Sequence, residues 1–155
     1  MTIQKSIRLK IIRPVFENLI IKEPLPSYMM GSRQITSSSD VYDLFRYLSN
    51  ETKEHFIVLH LDTKNKIVCA DQVSTGSLNA SIVHPREVLK STLLSSAAAI
   101  VLVHNHPSGD PTPSREDIEI TKRIKECCEI LGIRLLDHII TGDGEFMSFA
   151  DRGLM

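Results

Sequence analysis

An α/β fold, with a mixed sheet flanked by helices, is the class this sequence predicts. Three observations lead there. Short apolar runs at residues 56–61 and 99–103 have the length and composition of buried strands. Apolar residues spaced by three and four come after Ser37 and Ser114, as in amphipathic helices. Glycine and proline clusters punctuate the chain between the two kinds of segment.

Residues 1–36 stand apart as an N-terminal arm. Ser6-Ile7-Arg8-Leu9-Lys10-Ile11 alternates polar with apolar, and Pro14, Pro24 and Pro26 interrupt the rest of the arm, so short strands are expected. Lys5, Arg8, Lys10, Arg13, Lys22 and Arg33 outnumber Glu17 and Glu23 there. Such a patch fits either contact with nucleic acid or another anionic partner, or a solvated strand face; it lacks the interleaved aromatics of a base-stacking surface.

The main domain, residues 37–155, opens with Ser37-Ser38-Ser39-Asp40 capping a helix that carries Val41, Leu44, Phe45 and Leu48. Residues 56–61 and 67–73 read as strands joined by the turn Thr63-Lys64-Asn65-Lys66. A short strand around Ile82, a helix over 86–98 and the buried central strand 99–103 come next. Ser114 opens a second long helix with Ile118, Thr121, Ile124, Cys128 and Leu131 on one face, and Gly132 stops it. Strands at 133–140 and 145–149, joined through Gly142-Asp143-Gly144, complete the set.

The 155 residues, 42% of them hydrophobic, suit one ordinary domain with a real core. With 18 basic and 19 acidic residues the overall charge steers toward no particular partner. Cys69, Cys127 and Cys128 show no CxxC spacing, which points to free thiols in a reducing compartment. No apolar run reaches membrane-spanning length and no signal-peptide core is visible, so a cytoplasmic location and no membrane partner are expected.

The chemistry concentrates in His104-Asn105-His106-Pro107 and in Asp117, eleven residues beyond His106. In extended backbone, residues two apart project to the same side, so both imidazoles can reach one ion past the strand end. Pro107 keeps His106 out of helical geometry, and the Gly/Pro-rich loop through Pro113 turns the chain back. Asp117 then lies in the first turn of the next helix. Two imidazoles and one carboxylate, with a fourth position left to water, make a catalytic type of zinc site. Zinc brings the pKa of a bound water toward about 7, and a carboxylate off the metal would serve as proton acceptor. A plain alternative for Ser114 and Asp117 is a helix-capping box.

The string HNHPSGDPTPSREDIEIT, with LLDHIITGDG downstream and the closing SFADRGL, resembles the RadC-like branch of the JAB/MPN (JAMM) metalloprotease superfamily over about residues 36–155. The resemblance implies a cytidine-deaminase-like α/β sandwich, one zinc held by His104, His106 and Asp117, and Ser114 positioning the attacking water or the oxyanion. It also implies Glu54 as general base, with Glu51 as the fallback; the alternative for Glu54 is a solvated carboxylate at a strand end. Asn105 stands where many peptidase members carry Ser or Thr. Residues 1–36 are too short and strand-like for the helix-hairpin-helix module of fuller RadC-type chains.

Further candidates for substrate contact or ligand support are Asn105, Ser108, Asp137, His138 and Arg86. Each has a plainer alternative: a local pairing for Asp137-His138, a helix start for His84-Pro85-Arg86, an ordinary turn for Ser108-Gly109. Three functions fit these residues: a zinc-dependent hydrolase of peptide or isopeptide amides; a protein of RadC type, associated with DNA repair and acting on or near nucleic acid; and a non-catalytic, metal-stabilised binding module. The letters His-Asn-His do not make an HNH nuclease, and the Pro-Cys-x-x-Cys of nucleoside deaminases is absent.

Overall fold

The structure, a computed structural model, describes residue 16 and residues 34–76 and 83–155. The strands expected in the N-terminal arm and around Ile82 lie outside the described residues. The elements run α1 (Ser38–Phe45), a 3-10 turn (Arg46–Asn50), β1 (His55–Leu61), β2 (Ile67–Thr75), α2 (Pro85–Leu94), β3 (Ala99–Asn105), α3 (Arg115–Leu131), β4 (Arg134–Thr141) and β5 (Phe146–Ser148). The strands form one mixed sheet in the order β2-β1-β3-β4-β5. Among these, only β3 and β4 are parallel, joined through α3; the other neighbours are antiparallel.

Strand alternation divides the core into two layers. Ile57, Leu59, Leu61, Ala99, Val101 and Val103 face α1, where they pack with Ile35, Val41 and Phe45. Phe56, Val58, Ile100 and Leu102 face the other way, against Val88 and Leu89 of α2 and Ile120, Ile124 and Cys128 of α3. Every residue of β3 is buried, as a central strand covered on both faces requires. His104 shares the parity of Ile100 and Leu102, so its imidazole emerges on the α3 side. The strand runs on through His104 to Asn105, which still pairs with Thr141 of β4.

Two details differ from the sequence reading. Helix α2 ends at Leu94, not 98: Ser96 takes a left-handed φ of 55°, and Ala98 donates its N–H to the Leu61 carbonyl at the start of the next strand. Along α3 the buried stripe is Asp117, Ile120, Thr121, Ile124 and Cys128, while Ile118 and Leu131 are exposed. Gly132, left-handed at φ 69°, closes α3 as expected.

Candidate metal centre

The C-terminal end of β3 delivers His104 and His106, and the first turn of α3 delivers Asp117. The helix is started by a reciprocal cap: Ser114 Oγ accepts from the Asp117 N–H at 3.1 Å, and Asp117 Oδ2 accepts from the Ser114 N–H at 2.7 Å. The Ser114 hydroxyl also donates to Oδ2, at 2.7 Å. Asp117 is therefore both the capping residue and the candidate ligand, and the cap aims its carboxylate. The cap of α1 is built alike, with Ser37 and Asp40, but among the described residues no histidine bonds to it.

His104, His106 and Asp117 each offer a ligand atom, all within 4.8 Å of one another. The Nε2 atoms of His104 and His106 are 3.0 Å apart, His104 Nε2 lies 3.2 Å from Asp117 Oδ1, and His106 Nε2 lies 3.4 Å from Asp117 Oδ2. Ligands at about 2.0–2.1 Å from a tetrahedral ion stand about 3.3–3.4 Å from each other. The contacts of 3.0–3.4 Å are of that size, with each histidine nearest a different oxygen of Asp117.

Hydrogen bonding behind the triangle assigns the protons. Thr121 Oγ1 must donate to the Asp117 carbonyl, since a carbonyl only accepts. With that hydrogen committed, the 2.6 Å contact between Thr121 Oγ1 and His138 Nδ1 is a donation from the imidazole. His138 Nε2 is then a bare acceptor, and His104 Nδ1 donates to it at 2.8 Å. On the other side, His106 Nδ1 donates to the Asp110 carbonyl at 2.7 Å. Both Nε2 atoms thus present lone pairs to each other and to a carboxylate. Such a cluster of acceptors is stabilised by a cation at its centre, and the backing of each imidazole by a hydrogen bond is the usual support of a metal-binding histidine.

Without an ion, Asp117 pulls the other way, favouring protons on the two imidazoles. Full burial holds the His104 pKa below its usual value despite the nearby Asp117. Burial, with a smaller contribution from the neighbouring His104, pushes His138 well below its usual value. At His106 burial opposes protonation, but the Asp117 and Asp110 contacts outweigh it and raise the pKa. Burial alone would raise Asp117; its contacts with both imidazoles and Ser114 reverse that and hold it ionised, far below the carboxylate range.

The triangle opens on a cavity of about 770 Å³ lined by Lys53, Glu54, Gly76, His106, Ser108, Ser114 and Asp117, among others. Glu54, half-buried just before β1, faces this cavity, and its charge is felt by both His104 and His106. Glu51 instead pairs with the His55 imidazole at 3.5 Å and does not line the cavity. Ser108 is at the cavity rim. Asn105 turns to the backbone on either side of Glu54. Asp137 does not reach the cavity: its carboxylate accepts from Ser148 Oγ and from the N–H groups of Ala150 and His138, tying the C-terminal turn to β4. Burial raises its pKa, and those three donors hold it back. Arg86 is a correction, for its side chain is exposed, pairs with Glu87 and lies along a separate groove between α2 and α3.

Sequence reasoning passed over Thr121 as a site residue. Its signal was spacing: it comes four residues after Asp117, one helical turn along the same face.

Fold and site together define an α/β domain in which His104, His106 and Asp117 form a group that could hold a metal ion, beside a cavity lined by Glu54. A protein-family model for the RadC-like JAB domain matches residues 35–154, and the chain belongs to that family. It is 59% identical to a UPF0758 protein of Pelobacter propionicus over 123 residues, which is 79% of this chain and 54% of that relative. A UPF0758 protein of Geobacter sulfurreducens is 56% identical over 128 residues (82% and 56%), and one of Methanosarcina mazei 56% identical over 124 (79% and 54%). The chain thus spans about half the length of the curated relatives it matches. Among the described residues no helix is long and apolar enough to cross a membrane.

Proposed function

We propose that this domain is a zinc-dependent hydrolase that cleaves a peptide or isopeptide amide. The observation that carries the reading is the convergence of His104, His106 and Asp117 on a common centre, each imidazole held by a hydrogen bond at its other nitrogen. Two nitrogens and one oxygen suit zinc, and three protein ligands leave the fourth position for water, as in catalytic rather than structural sites. Zinc held there supplies Lewis acidity and brings the pKa of water toward about 7.

The remaining steps belong to the chain. Glu54 takes a proton from the attacking water on its carboxylate and returns it to the amide nitrogen as the C–N bond breaks. Ser114 holds Asp117 Oδ2 with two donors, which fixes the carboxylate toward the centre. The cavity is open to solvent along Lys53, Gly76 and Ser108, which suits a segment of a larger chain better than an enclosed small molecule.

The test is a parallel screen of zinc-loaded protein against ubiquitin-like and peptide amides and against single- and double-stranded DNA, with Glu54→Gln as the blank. Amide cleavage by the wild type that disappears in Glu54→Gln supports the reading. Cleavage of DNA alone moves the substrate to nucleic acid, and a fully metallated protein inert on every substrate leaves a binding module.

A further inference from the structure

Asn105, between the two histidines, is fully buried, yet it does not face the metal position. The β1–β3 ladder ends at the pair Phe56 and His104. One residue further the side chain of Asn105 takes over from the backbone. Its Oδ1 accepts the His55 N–H at 2.8 Å, and its Nδ2 donates to the Lys53 carbonyl at 3.0 Å. Those two groups flank Glu54 on either side. From the opposite edge the Gly76 N–H, at the end of β2, donates to the Glu54 carbonyl at 2.8 Å. The backbone that carries Glu54 is therefore gripped from both neighbours in the sheet.

A carboxamide is the side chain that fits. It offers one donor and one acceptor in a fixed plane, as a peptide unit does, and so can continue a β ladder where the backbone has left it. Aspartate has no donor for the Lys53 carbonyl. Serine and threonine carry one oxygen close to the backbone and cannot reach both groups at once.

We propose that Asn105 is a positioning residue that sets the distance between the base and the metal. His104 and His106 fix the ion; Asn105, covalently between them, fixes Glu54. One tripeptide holds both partners of the water, so movement of the strand end carries them together. Buried, with both its polar atoms bonded to backbone, Asn105 acts through Glu54 and touches neither ion nor substrate. The proposal rests on Glu54 being the base.

The experiment uses cobalt-substituted protein, whose visible spectrum reports the metal's surroundings, with three variants: Glu54→Gln, Asn105→Ala and Asn105→Ser. Removing the Glu54 charge should move the pH midpoint of the spectrum downward by about one unit, the effect of losing a carboxylate within about 4–6 Å. Asn105→Ala should retain one metal per chain, speed amide exchange at His55 at least about tenfold for one lost hydrogen bond, and move the midpoint in the same direction as Glu54→Gln. Asn105→Ser, which can still reach one of the two groups, should fall between wild type and Asn105→Ala and serves where the alanine variant does not fold. If Glu54→Gln shifts the midpoint and neither Asn105 variant does, the positioning role is overturned while the base assignment stands. A midpoint untouched by Glu54→Gln overturns the base assignment, and this role with it.

Discussion

His104 Nδ1 lies 2.8 Å from His138 Nε2, both imidazoles wholly buried. Two neutral rings can share that bond in only one sense once Thr121 has fixed the His138 proton on Nδ1. The consequence reaches the metal position: His104 has no freedom to turn its N–H inward.

That relationship makes His138 a determinant of metal affinity without being a ligand. His138→Phe removes the acceptor at comparable volume and should weaken zinc binding about 10- to 100-fold, as loss of such supporting partners does elsewhere. Competition with a chelator of known affinity measures it. Affinity equal to wild type in a folded His138→Phe would dismiss the relay.

The two matched helix caps provide an internal control. Ser37→Ala and Ser114→Ala each delete a cap and should each cost about 1 kcal/mol in metal-free protein, read by urea unfolding. Only Ser114→Ala also removes a donor from a ligating carboxylate. It alone should lower zinc affinity, by about tenfold or more; an equal loss in Ser37→Ala would mean that the effect is general loosening.

His60 gives a pH dependence unrelated to the metal. Its ring is buried on the sheet face beneath α2, with Nδ1 near Ser95 Oγ (2.8 Å) and Cys69 Sγ (3.2 Å), and among the described residues Nε2 has no hydrogen-bond partner. Burial pushes its pKa from 6.5 down to about 4, against a small opposing pull from Asp71. Between those values the unfolded chain binds the extra proton, so stability is complete above about pH 6.5 and falls as the pH drops toward 4. The loss attributable to this residue is roughly 3 kcal/mol. Unfolding of chelator-treated protein across pH 4–7 checks it, with His60→Leu expected to flatten the slope.

How much of this was readable in the sequence depends on the range of the interactions. The strands of the sheet, the capping serines and the ligand triad obey local rules, and each emerged where its pattern placed it. The α3 face went partly astray because a periodic count treats Ile118 and Leu131 as core. The buried stripe instead starts from Asp117, and Ile118 and Leu131 are left outside. The His104–His138–Thr121 relay joins residues from β3, β4 and α3, and no spacing rule links positions so far apart. Asn105 was visible only as a departure from the serine or threonine of related peptidases. Its grip on Lys53 and His55 exists only once β1 lies beside β3.

Everything proposed for the site depends on His104, His106 and Asp117 holding one zinc ion. Elemental analysis of the purified, zinc-equilibrated chain measures this most directly, alongside folded His106→Ala. The expected result is about one zinc per chain in the wild type, as a single three-ligand site requires, and almost none in the variant. Full occupancy in His106→Ala, or a wild type that binds no zinc, would contradict it.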